Sequence, residues 1–92
     1  MEDQAERLAA LRAQTQAALV RFLSTDIDLC FTLLATAKTT ANPDHARAVI
    51  EKIRLGIASI RHLGERIEDL KEKTEIHNCV NDLEEAVNSF SN

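Results

Sequence analysis

Ala41-Asn42-Pro43-Asp44 is the stretch that decides how this chain folds. Pro43 is the only proline in 92 residues, and only two glycines, Gly56 and Gly64, accompany it. Asn42 can cap a helix through its side-chain oxygen, Pro43 suits the first helical position, and Asp44 suits the first turn. The chain therefore reverses here. Outward in both directions apolar residues recur every three or four positions, the spacing of helices with one buried face.

Downstream, a segment over about 43–72 carries Ala46, Val49, Ile50, Ile53, Ile57, Ile60, Leu63, Ile67 and Leu70 on one broad stripe. Gly56 and Gly64 lie on or beside it. A helical glycine costs about 1 kcal/mol relative to alanine, so two on the packing side predict a close neighbouring backbone. Between Leu70 and Ile76 the apolar phase slips, and Thr74 can cap a new helix over about 75–90, with Ile76, Cys79, Val80, Leu83, Val87 and Phe90 at helical spacing.

Upstream, a segment over about 26–41 is apolar on Ile27, Cys30, Phe31, Leu34, Ala37 and Ala41, and Leu29 and Leu33 widen that face past half the circumference. A helix that apolar needs cover on more than one side. A first segment over about 3–23 carries Leu8, Leu11, Thr15, Ala18, Leu19, Phe22 and Leu23 in one stripe. An unbroken helix would turn Asp26 into the apolar stripe, where an unpaired carboxylate is costly. Thr25 and Asp28 have the spacing of a variant capping box, which predicts a new N-cap at Thr25. The alternative is one kinked helix through both segments, because their stripes are almost in phase. The expected fold is all-α: a small antiparallel helical bundle of four helical segments, forming a single domain over 1–92.

Composition narrows the function. The net charge is −4 and the pI about 5.3, with the basic residues scattered, which disfavours nucleic-acid binding. The start Met1-Glu2-Asp3 is acidic rather than signal-like, and no apolar run approaches the roughly 20 residues needed to span a bilayer. A cytoplasmic protein without membrane contact is the expectation. Hydrophobic residues make up 45% of the chain but aromatics only 3%, and many of the rest are alanine, which adds helix without filling volume. A thin core in a small helical protein is often completed by a second copy. Cys30 and Cys79 both fall on apolar faces and are expected reduced and buried. No cysteine or histidine spacing suits a metal, and no cofactor is expected.

His62 is the one residue that invites a sharper chemistry. It lies on the solvent face of the third segment, in His62-Leu63-Gly64-Glu65-Arg66. In outline this resembles a histidine phosphotransfer domain, a helical bundle with an exposed helical histidine near a glycine and cations. That family reads His-x-Leu-Lys-Gly-Ser, and the lysine and small residues are missing here. The resemblance implies phosphotransfer at His62 as the alternative function. Otherwise His62 is a solvated histidine, and His45 and His77 read as surface or boundary residues. Glu65, Glu68, Asp69 and Glu72 alternate with Arg66, Lys71 and Lys73 as on a solvated helix face rather than in a catalytic cleft. Leu55 points away from its stripe and offers a second contact surface. The reading is a non-catalytic helical interaction module that self-associates as a homodimer, or binds another helical protein. Its interface would use Ile27, Leu29, Phe31, Leu33 and Leu55.

Overall fold

The computed structural model describes residues 3–91, which form three helices and no strand. Helix α1 runs Gln4–Thr39, α2 Pro43–Gly64 and α3 Leu70–Ser91. The first two expected segments are thus one continuous helix of 36 residues. Thr25 is no cap: its hydroxyl donates to the Arg21 carbonyl at 2.9 Å, one turn back within the helix. Asp26 escapes the expected penalty because it stands half-buried at the flank of the stripe, not at its centre. Asp3 caps the start of α1, its carboxylate accepting from the Ala5 amide at 3.1 Å.

The reversal falls at Asn42. Its side-chain oxygen accepts from the Asp44 and His45 amides at 3.0 and 3.3 Å, and Pro43 opens α2. Helix α2 ends at Gly64, earlier than the apolar stripe suggests, because the chain turns through 65–69 and drops Ile67 into the core from the turn. The next helix starts at Leu70, not after Thr74. Asp69 is the cap, accepting from the Glu72 amide at 2.9 Å, and Thr74 lies inside the helix with its hydroxyl on the Leu70 carbonyl at 2.8 Å.

The three helices share one core. Leu23 and Ile27 from α1, Ile53 and Ile60 from α2, and Val80 and Leu83 from α3 are among its buried residues, with no buried polar or charged side chain among the described residues. Each fully buried leucine or isoleucine contributes about 1.5–3 kcal/mol. On the α2–α3 flank Arg54 reaches Asn88 and Ser91 at 3.1 and 2.9 Å, and Arg61 reaches Asn81 and Glu84 at 3.1 and 3.2 Å. These contacts run α3 antiparallel to α2 and therefore parallel to α1.

Helix α1 is too long for its partners. At about 1.5 Å per residue it spans about 54 Å, whereas α2 and α3 span about 33 Å each. The turn between α2 and α3 packs beside its lower half. The Gln16 side chain donates to the Arg66 carbonyl at 3.0 Å and accepts from the Glu68 amide at 2.9 Å, and Arg12 pairs with Glu68. Below that level the helix projects, and residues 3–15 are all exposed. The molecule measures 64 × 19 × 16 Å, with a radius of gyration of 16.9 Å. A compact domain of this length would have about 12 Å.

Candidate functional site

Two apolar lines run along α1. The first faces the bundle and contains the buried Leu23, Ile27, Cys30, Leu34 and Ala37. The second begins on the projecting end at Leu8 and Leu11. It continues through Thr15, Ala18, Phe22, Thr25, Leu29, Thr32 and Thr36, in alternating steps of about three and four residues, the repeat of a helix–helix seam. Phe22 and Leu23 are sequence neighbours, so the two lines lie about 100° apart. No position of the second line is charged, in a chain 28% charged overall. Its bulky members stand in solvent: Leu8 is 63% exposed, Leu11 58%, Phe22 56% and Leu29 54%.

The threonines on this line bond back into their own helix. Thr15 donates to the Leu11 carbonyl at 2.9 Å, Thr25 to Arg21 at 2.9 Å, Thr32 to Asp28 at 3.1 Å and Thr36 to Thr32 at 3.2 Å. Each hydroxyl is thus satisfied within its own helix, and a partner covering these residues would orphan no donor. They present as small, half-apolar positions between the leucines and the phenylalanine.

The exposed area is large for the mass. The chain has 6547 Å² of accessible surface at 10.2 kDa. A compact monomer of that mass exposes about 5,300 Å². The excess of about 1,200 Å² exceeds the roughly 800 Å² per partner of a standard interface.

The expected interface residues are distributed unevenly. Leu29 lies on the exposed line, and Leu33 lies beside it, half-buried against the core. Ile27 is buried in the chain's own core and has no surface to offer. Phe31 is partly exposed, but it stands about half a turn around α1 from Phe22. Leu55 is 72% exposed on α2, beside a shallow groove formed with His45, Ala48 and Lys52. Sequence reasoning missed Leu8, Leu11 and Phe22 as outward-facing, because the expected break at Thr25 hid a line that crosses it.

Polar side chains also cluster at the turn between α2 and α3. Glu65 receives Lys73 at 3.2 Å and His77 at 3.4 Å, tying the end of α2 to the first turns of α3. Lys73, and to a lesser degree His77, hold the Glu65 carboxyl below its ordinary range, and Arg12 does the same for Glu68. His62 is exposed one turn before Glu65. Among the described residues no three of His, Cys, Asp and Glu group closely enough to hold a metal, and no helix is long and apolar enough to cross a membrane. Both cysteines are free. Cys30 is buried as expected, but Cys79 is exposed, because the α3 core line runs through Ile76, Val80, Leu83 and Val87 and leaves it on the flank.

Fold and surface together define an antiparallel three-helix bundle with an overlong first helix that carries an exposed, uncharged line. No family model, curated protein or solved structure matches the chain.

Proposed function

We propose that this protein is a non-catalytic helical interaction module, working in the cytoplasm, that self-associates through the outer line of α1. The observation that carries the reading is the uncharged, solvent-exposed seam from Leu8 to Thr36, whose threonine hydroxyls are already satisfied. A partner helix laid along it would bury Leu8, Leu11, Phe22 and Leu29. Each leucine or phenylalanine fully covered there would contribute about 1.5–3 kcal/mol. That exceeds what exposed ion pairs supply, so association rests on apolar area.

A second copy of the chain is the natural occupant, because any copy carries the matching seam and two-fold pairing of one patch with itself is the commonest route to a dimer. Phe22→Glu with Leu29→Glu tests this. Both side chains are exposed in the monomer, so the variant should keep its helical circular dichroism while losing self-association. A variant as associated as the wild type would refute the role of the seam.

A further inference from the structure

Resting on self-association through that seam, we infer that the two α1 helices pair antiparallel, in the register that sets Arg21 of each copy beside Asp28 of the other. Both residues flank the seam on the side away from the bundle, and neither side chain has a partner among the described residues. Two-fold symmetry makes the contact twice.

Side-chain size points the same way. In this register Phe22 lies against Thr25 of the partner copy, Leu29 against Ala18, and Leu11 against Thr36. Every bulky residue meets a small one, so the helices can keep a constant spacing. Sliding the pair by one heptad brings Arg21 against Arg21, or Asp28 against Asp28, so charge selects a single register. A parallel pair would stack Phe22 on Phe22 and Ala18 on Ala18, layers of unequal width. It would gain only the contact of Arg21 with Asp26. The antiparallel pair also opposes the two helix dipoles. The projecting end of each α1 then lies beside the bundle of the other copy, which explains why α1 outruns its own partners.

Cysteine cross-linking of the full chain decides orientation. In a Cys79→Ser background, Thr15 of one copy should face Thr32 of the other, while the two Thr15 positions lie about 25 Å apart. A disulfide needs α-carbons within about 7 Å. Under copper–phenanthroline oxidation, the Thr15→Cys and Thr32→Cys chains mixed together should give a covalent heterodimer, and neither chain alone should cross-link. Cross-linking of Thr15→Cys with itself would overturn the orientation in favour of a parallel pair. A dimer by light scattering that gives no cross-link in the mixture would overturn the register. A wild-type monomer by light scattering would instead remove the self-association on which the inference rests. Charge exchange gives an independent reading: Arg21→Asp and Asp28→Arg should each weaken the dimer about five- to tenfold, and the double exchange should restore it. Failure of the double exchange to restore it would also overturn the register.

Discussion

The Cys30 sulfur lies 3.1 Å from the point where a β-carbon on Gly56 would sit. The sulfur of α1, not backbone, occupies the space beside this α2 glycine. At Gly64 the corresponding neighbour is Ile76 Cγ2 at 3.8 Å, an ordinary contact. The two glycines should therefore respond differently. Gly64→Ala should stabilise the fold by a few tenths to about 1 kcal/mol through helix propensity. Gly56→Ala should be neutral or destabilising, because Cys30 must move, and should become stabilising in a Cys30→Ala background. Urea denaturation of the wild type, Gly56→Ala, Cys30→Ala and the double variant measures the coupling between Gly56 and Cys30.

The two thiols should separate by reactivity. Burial first, and the nearby Asp26 carboxylate second, push the Cys30 thiol up, disfavouring the reactive thiolate. Cys79 is exposed. Ellman's reagent should label one thiol per native chain quickly and the second only on unfolding. Cys79→Ser should abolish the fast phase, and fast labelling of Cys30 would contradict its place in the core.

Core and surface leucines should differ sharply. Leu83 is fully buried in the shared core, so Leu83→Ala should cost about 2–5 kcal/mol. Leu55→Ala, at an exposed position, should change stability by less than about 0.5 kcal/mol. Thermal melts of the two variants provide the comparison.

The ion pairs at the α2–α3 turn predict the sign of an acid dependence. Lys73 depresses the Glu65 carboxyl and Arg12 that of Glu68, so both favour the folded state above the ordinary carboxylate range. Their contribution disappears as the pH falls through the depressed folded-state values. Both glutamates are exposed, so the effect should be modest and weakened by salt. The melting temperature of Glu65→Gln/Glu68→Gln should fall less on acidification than that of the wild type; an equal fall would place the acid dependence elsewhere.

The turn at Asn42-Pro43 was legible because its signals are local: a capping side chain, a fixed proline dihedral and an acid in the first turn all agree. Thr25 and Thr74 misled for one shared reason. A threonine hydroxyl can cap a helix or bond to the carbonyl one turn back, and both took the second course. Tertiary packing makes that choice, and no local pattern records it. Ile67 kept the phase of α2 while sitting in a turn, so periodicity alone overran the helix end at Gly64. Segment by segment, Leu8, Leu11 and Phe22 merged with the core stripe. Only the uninterrupted α1 separates the line that is buried from the line that is free.

Self-association of the intact chain is the central claim, and size-exclusion chromatography with light scattering at micromolar concentration measures it most directly. The account predicts a mass twice the 10.2 kDa of the chain, falling to a single helical chain for Phe22→Glu/Leu29→Glu. A wild-type mass of one chain across that range would contradict it.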